Sequence, residues 1–525
     1  MHPAGSAYRS LTFPATLVLP VVILAAASYF QGVPQNPPGF YIDESSIAYN
    51  AYTISRTGRD EYGAPWPLYF RAFGEYKNPV YIYLLAALFR VFGPSILLAR
   101  LFSATLGLAS AVLLWLLAWR ITRREMVAQI VGLSALVTPW LFENSRLVFE
   151  VALYPSLLGL FLFVLYGLTK KEQWTLFDIL TLAVTLSLLT YSCSIGRLLA
   201  PLFAGGLAFF ITRRRLRSVL ATWVTYALTL VPALVFNHLH PGALMSRFWL
   251  LTYITSERSP VSLTLEFFRR YAANFNPWRL AVTGELNVRD HLGHMGSVLL
   301  PTIILASIGI ILVWRCYRRD AWWRFLLYAL VVSAVPASLT STDFPQIRLV
   351  ALPVLLHVFL IPAVWWLMYP AESFVVTRND GRGRQPQELE ARSAPTDGRS
   401  IARRVTLWAL MTLMLVQGVV FRFEFYRVGP GRWYIFDEQF PREVFPTALS
   451  FNKKPIYLYD PSGKSGYIQA YWYGILRGMD ATDFVRLPQG ASPPEGAVVI
   501  STEEECGHCR LILKSINYIV YLRGT

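Results

Sequence analysis

Charged residues are scarce in this 525-residue sequence. Asp, Glu, Lys and Arg make up 15% of it, whereas hydrophobic residues make up 54%. A soluble domain carries about 25% charged residues, so the composition excludes an ordinary soluble globular protein. Apolar windows of about 20 residues recur along most of the chain, and windows of that length are typical of transmembrane helices. The sequence therefore predicts a protein that crosses a membrane many times.

The chain has only four cysteines, and two of them, Cys506 and Cys509, lie near its end in "EECGHCRLI". Their spacing is that of thioredoxin-type redox centres. Such a centre needs the motif between a strand and a helix of a complete thioredoxin fold, and too little chain follows it here. The sequence favours a local structural disulfide on the oxidising side of a membrane. Free thiols, a metal site and redox catalysis stay open as alternatives.

Acidic residues are outnumbered, with 32 Asp and Glu against 48 Lys and Arg and a net charge of +16. A surface that binds nucleic acid would gather these charges into one stripe. Instead they cluster in short loops, around residues 120–124, 170–171, 213–217, 315–324 and 378–404. Short loops rich in Lys and Arg are typical of the cytoplasmic side of a membrane protein. The excess charge therefore indicates topology, and no nucleic-acid partner is expected.

Eleven transmembrane helices are predicted, at residues 11–30, 97–119, 125–141, 150–169, 175–192, 197–212, 217–236, 297–316, 324–341, 349–369 and 404–421. The apolar segment from Pro79 to Gly93 is left out of this set. At about 14 residues it is short for a span, and counting it as one would move all five basic loops from the cytoplasmic to the outer side. We expect an interfacial or re-entrant helix there, with the N-terminus inside and residues 31–96 outside.

The predicted fold is a mostly α-helical multi-pass membrane module, residues 1–421, followed by a small extracytoplasmic α/β domain, residues 422–525. Within the module, residues 31–96 form the first outer loop, residues 237–296 a long outer loop, and residues 370–403 a polar cytoplasmic linker. In the C-terminal domain, "KPIYLYD" and "GAVVIST" are typical of buried strands, and "SGYIQAYWYGILRG" between them is typical of a helix.

Several charged residues lie at the predicted outer ends of the spans, where charge is costly and usually functional. They are Asp43, Glu44, Lys77, Arg146, Glu150, Arg197 and Arg348. The positive-inside bias should deplete arginine from short outer turns, yet each of three such turns carries one. We therefore expect a ring of cations around a shared anion, formed by Lys77, Arg146, Arg197 and Arg348.

A cation ring beside a carboxylate suits the chemistry of a lipid-linked phosphate. Lys and Arg would neutralise the phosphate and stabilise the charge that develops on it as a leaving group, while Asp43 takes a proton from an incoming hydroxyl. Four further residues are candidates for supporting roles: Glu44, Glu150, Tyr81 and His294. Structural alternatives stay open, because Asp43 could cap the helix that follows it and each arginine could reach lipid headgroups or pair internally.

The segment from Gly39 to Leu108, which begins "GFYIDESS" and ends "ARLFSATLGL", resembles the first-loop signature of the bacterial protein O-mannosyltransferase and lipid A aminoarabinose transferase superfamily. The shared features are an Asp-Glu pair after the first span, a Lys-x-Pro element, and "FG…AR" at the next span. The likeness continues through "ENSRLVFE", "YSCSIGRLLAP" and "VPASLTSTDFPQIRLVALP". It covers approximately residues 10–370.

This resemblance implies a GT-C fold with juxtamembrane helices in the first outer loop, a polyprenyl- or dolichyl-phosphate sugar donor, and inversion at the sugar. It implies that Asp43 is the base, that Lys77 contacts the carrier phosphate, and that Arg146 and Glu150 match the second-loop arginine and acid. Most relatives require no catalytic metal, and no ligand set in this sequence demands one. This sequence departs from the family signature at Asn78, where many members have proline.

We expect a glycosyltransferase, either hexosyl- or pentosyltransferase, in the inner membrane of a bacterium, with its active site and C-terminus outside the cytoplasm. Its partners would be a polyprenyl-phosphate sugar, membrane lipid, and a lipid, protein or glycan acceptor. Two other classes stay open: a transporter or flippase of lipid-linked sugars, and a non-catalytic scaffold of glycan assembly. A transporter needs ionisable groups at mid-depth along its path, and the predicted spans carry very few there.

Overall fold

The computed structural model describes residues 15–255, 258–293, 295–369, 398–461, 465–504, 506 and 508–524. The helices are α1 Ala15–Ala27, α2 Ile42–Thr57, α3 Pro79–Phe92, α4 Ile96–Thr122, α5 Glu125–Val137, α6 Pro139–Asn144, α7 Tyr154–Thr169, α8 Leu176–Ser192, α9 Gly196–Gly206, α10 Leu216–Leu239, α11 Ser246–Leu251, α12 Pro260–Asn274, α13 Leu300–Leu312, α14 Ala321–Ser333, α15 Val335–Ser338, α16 Ala351–Met368, α17 Gly398–Val428, α18 Phe445–Leu449 and α19 Tyr467–Ile475. The strands are β1 Phe70–Ala72, β2 Glu75–Lys77, β3 Ile456–Tyr459, β4 Phe484–Leu487, β5 Val498–Ser501, β6 Cys509–Lys514 and β7 Ile519–Arg523.

Every predicted span contains a helix in the part of the chain that the structure describes. Seven helical segments there are long and apolar enough to cross a membrane, namely Ile96–Thr122, Glu150–Thr169, Leu216–Leu239, Leu300–Tyr317, Ala321–Ser338, Ala351–Met368 and Ser400–Arg432. The helix α16 lies at the centre, packed against α13 and α5 with almost all of its side chains buried. A helix that is apolar on every side can bury every side within a bundle.

The helix α3 coincides with the segment that the sequence predicted as a non-spanning helix. Its 14 residues extend about 21 Å at 1.5 Å per residue, against a bilayer core of about 30 Å. Pro79 starts the helix, where proline is well tolerated because the first backbone N–H groups have no intrahelical partner. Tyr81, Ile82, Leu85 and Phe89 are buried, and the helix packs against α2. The connection between α2 and α3, residues 58–78, contains the hairpin of β1 and β2.

The C-terminal residues form a five-stranded mixed sheet in the order β4-β3-β5-β7-β6. The strand β3 is parallel to both β4 and β5, whereas β7 is antiparallel to β5 and β6. The two strands and the helix predicted here are β3, β5 and α19. Parallel neighbours need a crossover connection, and α19 supplies it between β3 and β4. Beside β6, Cys506 and Cys509 form a disulfide.

The helix α19 attaches this sheet to the first outer loop. Its Gln469 donates from Nε2 to the carbonyl oxygen of Phe40 at 2.7 Å. Its Trp472 stacks on Phe40 and Phe89, with ring centroids 5.6 and 6.0 Å apart. These contacts bury large aromatic surfaces, which contribute strongly to packing. The C-terminal sheet therefore helps to fix α2, the helix that carries Asp43.

Candidate active site

Asp43 and Lys77 form an ion pair at the start of α2. Lys77 Nζ donates to Asp43 Oδ1 at 2.5 Å. Lys77 is the last residue of β2, where the strand alternation turns it to the same buried side as Glu75. Asp43 lies in the first turn of α2, where the helix dipole favours a carboxylate. The structure thus brings together the acid and the lysine that the sequence singled out.

Glu44, rather than Asp43, satisfies the free backbone groups at the start of α2. Glu44 Oε2 accepts from the backbone N–H of Tyr41 at 2.9 Å, and Oε1 accepts from that of Val148 at 3.0 Å. The same carboxylate pairs with Arg100 at 2.9 Å. Glu44 is fully buried, so these contacts occupy it. Asp43 is therefore left with its carboxylate facing a cavity.

The cavity beside Asp43 is small and highly charged. Its volume is about 130 Å³. The charged residues in its wall are Asp43, Glu75, Glu150, Lys77, Arg247, Arg289 and Arg348. A concave site with a few convergent polar groups is the usual form of a ligand pocket. Four cations and three carboxylates in one small space suit a ligand that has both an anionic group and hydroxyl groups.

The charges in the cavity keep Asp43 and Lys77 ionised. Burial raises the pKa of Asp43, but Lys77, Arg289 and Arg247 together lower it by more, so the pKa lies below its ordinary value. Burial lowers the pKa of Lys77, and the carboxylates of Asp43, Glu150 and Glu75 raise it by more. An ionised Asp43 at neutral pH is ready to accept a proton.

Two cavity cations, Arg247 and Arg289, come from the long outer loop and were missed by the sequence reasoning. Arg247 on α11 pairs with Glu75 at 3.0 Å. Arg289 donates to both oxygens of Asp290, at 2.8 and 2.9 Å, and lies over the ring of Tyr41. Both arginines lie in the predicted long outer loop, where the bias that singled out arginines in short turns is weak, so the sequence held no signal that distinguished them.

Glu150 and Arg197 meet at Asn78, the residue after β2. Both oxygens of Glu150 accept hydrogen bonds from Asn78, one from the backbone N–H and one from Nδ2 at 2.7 Å. Arg197 donates to Asn78 Oδ1 from Nη2 at 2.7 Å and from Nε at 3.2 Å. Glu150 lines the polar cavity, and Arg197 lines the apolar groove next to it.

The apolar groove adjoins the cavity and has a volume of about 480 Å³. Its apolar walls include Leu198 of α9, Leu234 of α10, Phe248 of α11 and Pro336 of α15. Five residues line both spaces: Ser194, Ile195, Arg247, Leu251 and Arg348. Burial and the nearby Arg247 lower the pKa of Arg348 to about 10, a value at which it still carries its charge at neutral pH. Two arginines therefore stand at the junction of a polar cavity and an apolar groove.

Arg146 and Tyr81 do not reach the cavity. Arg146 is 2% exposed, and its guanidinium donates to the backbone carbonyls of Tyr29, Gln31 and Asn36 at 2.9, 2.8 and 3.2 Å. Tyr81 is buried, with its hydroxyl 2.5 Å from Ser103 Oγ. Both side chains are engaged in internal contacts. His294 lies outside the described residues.

The neighbouring His291 is committed to loop packing. Its Nδ1 lies 2.7 Å from Glu143 Oε2, and its Nε2 lies 2.6 Å from the carbonyl oxygen of Met295. Both ring nitrogens are thus in use. Across the residues that the structure describes, no group of three or more His, Cys, Asp or Glu side chains is arranged to hold a metal ion.

Residues 76–239 match the sequence profile of the dolichyl-phosphate-mannose-protein mannosyltransferase family. This matched segment includes Lys77, Asn78, Glu150 and Arg197. A comparison with curated protein sequences gave no match.

Solved structures share the architecture of almost the whole chain. ArnT from Cupriavidus metallidurans bound to undecaprenyl phosphate has a TM-score of 0.62 and 12% identity, over 97% of this chain and 98% of that one. Its apo state has a TM-score of 0.58 at 12% identity, over 97% of each chain. AglB, the oligosaccharyltransferase of Archaeoglobus fulgidus, in complex with an inhibitory peptide and a dolichol-phosphate, has a TM-score of 0.50 and 13% identity, over 94% of this chain and 70% of that one.

At sequence identities of 12–13%, these matches are evidence for a shared fold. The matched architecture comprises the helical bundle, the helices of the first outer loop and the small C-terminal sheet. The apolar helices of the bundle agree with the membrane-protein nature of these relatives. The chain is therefore a multi-pass membrane protein with the GT-C fold of membrane glycosyltransferases, as its sequence resemblance predicted.

Proposed function

We propose that this protein is an inverting glycosyltransferase that moves a sugar from a polyprenyl-phosphate donor to an acceptor hydroxyl. The observation that carries the proposal is the Asp43–Lys77 pair, 2.5 Å apart, in a charged cavity that continues into an apolar groove. These adjoining spaces fit a single molecule that has a charged headgroup and an apolar chain. Undecaprenyl phosphate and dolichol-phosphate are bound in the two relatives, which supports this donor class.

The donor phosphate would lie at the junction of the cavity and the groove. Arg247 and Arg348 line both spaces and would contact the phosphate oxygens from the groove side, while Lys77 approaches from the cavity side. The polyprenyl chain would follow the groove past Leu198 and Leu234. The sugar would then occupy the cavity, between Asp43 and Glu150. Arg146 has no part in this arrangement because its guanidinium is saturated by backbone carbonyls.

The transfer is a single displacement. The acceptor oxygen bonds to the anomeric carbon while the bond from that carbon to the phosphate oxygen breaks, and Asp43 takes the acceptor proton. The bonding electrons leave with the polyprenyl phosphate, whose additional negative charge is stabilised by Lys77, Arg247 and Arg348. One displacement inverts the sugar. No acid is needed on the leaving side, because a phosphate is stable as an anion.

We place the site on the extracytoplasmic face of a bacterial inner membrane, with residues 1–421 as the catalytic module and residues 422–525 as a domain on the same face. The acceptor hydroxyl, from a lipid, a protein or a glycan, would enter on the side of Asp43 that faces Arg289. The pairing of Arg289 with Asp290 leaves that entrance with little net charge. The geometry favours a neutral hydroxyl as the attacking group.

Mass spectrometry of the outer glycans and glycolipids tests this function. A deletion strain would be complemented with the wild type, with Asp43→Asn, or with Asp343→Asn, whose carboxylate pairs with Arg270 at 3.1 Å outside the cavity. We expect the wild type and Asp343→Asn to restore a missing glycan, and Asp43→Asn to lower transfer by about 10²–10⁴-fold, the usual contribution of a general base. Full restoration by Asp43→Asn would exclude Asp43 as the base.

A further inference from the structure

Asn78 separates an acid from a base in the wall of the cavity. It is 1% exposed, and both heteroatoms of its side-chain amide are in use. Nδ2 donates to Glu150 at 2.7 Å, while Oδ1 accepts from Nη2 and Nε of Arg197 at 2.7 and 3.2 Å. The third nitrogen of Arg197, Nη1, donates to the carbonyl of Leu244 at 2.7 Å. The hydrogen bonds of Arg197 therefore go to Asn78 and the backbone, and not to Glu150.

A side-chain amide is well suited to this position. It donates to a carboxylate and accepts from a guanidinium at the same time, without adding charge. Alanine offers neither contact, and aspartate cannot donate. Opposite charges in a site of low dielectric attract strongly, so Glu150 and Arg197 would pair with each other if the amide were absent. Asn78 instead leaves Glu150 on the polar cavity and Arg197 on the apolar groove.

The contacts of Asn78 also connect the two walls of the groove entrance. Through Arg197 it reaches Leu244, which lies just before α11, and α11 carries Arg247. Arg247 in turn pairs with Glu75 on β2, at 3.0 Å. The segment from Glu75 to Asn78 therefore holds the N-terminal end of α11 through two contacts, next to the place where the proposed function puts the donor phosphate.

We propose that Asn78 is a positioning residue for the donor site: it holds Glu150 toward the sugar and Arg197 toward the phosphate by keeping these two charges apart. This inference rests on the proposed function, because it concerns how a polyprenyl-phosphate sugar is held. When the amide is removed, Glu150 and Arg197 pair with each other, and neither side chain then contacts the ligand. A displacement of about 1 Å in such a site costs up to about 100-fold in activity.

Three variants separate this role from simple loss of a buried side chain. In Asn78→Ala, Arg197 is free to pair with Glu150, so binding of a lipid phosphate weakens. In Asn78→Asp, a second carboxylate faces Glu150, and like charges raise the pKa of one member of the pair. Binding of an anion therefore weakens as pH rises. The double variant Asn78→Asp with Glu150→Gln restores the net charge but puts the carboxylate in direct contact with Arg197. It therefore removes the like-charge pair without keeping the acid and the base apart.

The experiment measures the affinity of the purified full-length protein for undecaprenyl phosphate between about pH 5 and 9, the range in which a carboxylate with a raised pKa titrates. The matched control is Asn274→Ala, which removes a buried asparagine bonded to Ser338 at 3.1 Å, away from the cavity. We expect Asn274→Ala to bind like the wild type, Asn78→Ala to bind at least tenfold more weakly, and Asn78→Asp to lose affinity with rising pH. The double variant should lose that pH dependence but still bind more weakly than the wild type.

Two results would overturn the inference. One is an Asn78→Ala protein with wild-type affinity and pH dependence, and the other is a double variant with wild-type affinity, because its acid and base are in contact. Because these results presuppose that the wild type binds undecaprenyl phosphate, they are distinct from a failure of the proposed function. That failure would show as a wild-type protein with no affinity for the lipid phosphate at any pH.

Discussion

Arg100 and Glu44 form a buried ion pair that joins α4 to the start of α2. Arg100 Nη2 lies 2.9 Å from Glu44 Oε2, with the two side chains 1% and 0% exposed. Arg100 Nη1 also donates to the carbonyl of Pro34 at 2.7 Å. The pair therefore fixes the path of the chain into α2. It thereby also fixes the position of Asp43, which directly precedes Glu44.

Glu44→Gln should destabilise the protein while it leaves the shape of the side chain almost unchanged. Loss of one partner from a buried ion pair leaves an uncompensated charge and costs about 3–5 kcal/mol. The measurement is the midpoint of thermal unfolding in detergent. Glu438→Gln is the control, because Glu438 pairs with the exposed Arg442 at 2.6 Å and a surface pair contributes about 0–1 kcal/mol. Equal midpoints for the two variants would contradict a structural role for Glu44.

Lys77→Met should reverse the direction in which pH changes the contribution of Asp43 to the stability of the protein. In the wild type the pKa of Asp43 is lowered, so its contribution is present above the ordinary aspartate pKa of about 3.9 and is lost as pH falls through the lowered pKa. Without Lys77, we expect burial to raise the pKa of Asp43 above its ordinary value. Its contribution would then be largest below about pH 3.9 and would be lost as pH rises through the raised pKa.

The pH reversal is measured as the free energy of unfolding of Lys77→Met against pH, relative to the wild type. The double variant Lys77→Met with Asp43→Asn supplies the control, since it has neither charge and should show no slope from this pair. If Lys77→Met kept the wild-type slope, Asp43 would not depend on Lys77 for its charge.

The sequence was sufficient to predict the fold and to single out Asp43 and Lys77, which the structure pairs. The scarcity of charge predicts the helical bundle. The non-spanning placement of α3 stays a prediction, because α5, which was predicted as a span, is shorter still. Asp43 and Lys77 are close along the chain and belong to one loop, so a local motif was enough to pair them. The short continuous apolar runs in "KPIYLYD" and "GAVVIST" likewise indicate the buried strands β3 and β5.

The sequence could not show which arginines face the cavity, because their positions depend on contacts between distant segments. Arg146 lies in an outer turn just as Arg348 does, yet three carbonyls from residues 29–36 surround it. Those carbonyls are more than a hundred residues away along the chain. Arg247 and Arg289 lie in a long loop whose path no periodicity predicts. Only the folded structure shows which cations face the cavity.

Arg146→Lys and Arg289→Lys should therefore have opposite effects. A lysine is a single point of charge and cannot reach three separate carbonyls, so Arg146→Lys should lose about 1.5–3 kcal/mol of stability for each charged hydrogen bond broken. Affinity of its folded fraction for undecaprenyl phosphate should stay at the wild-type level. Arg289→Lys keeps a charge that can still pair with Asp290, so it should lose less stability than Arg146→Lys, but it should transfer sugar more slowly because it loses the bidentate contact. Weaker lipid binding by folded Arg146→Lys would return Arg146 to the site.

Leu198→Trp should obstruct the groove without disturbing the fold. Leu198 is 37% exposed and lines the groove on α9, so the larger indole would occupy space that the proposed polyprenyl chain needs. Leu180 on α8 is similarly exposed, at 44%, and lies outside the groove, which makes Leu180→Trp the matched control.

Binding should be compared for a long undecaprenyl phosphate and a short, water-soluble prenyl phosphate. Because the headgroup contacts at Arg247 and Arg348 are unchanged, Leu198→Trp should weaken binding of the long lipid by about tenfold or more, equivalent to about 1.4 kcal/mol, and affect the short one little. Equal losses for both lipids would mean that the chain leaves the site by another route.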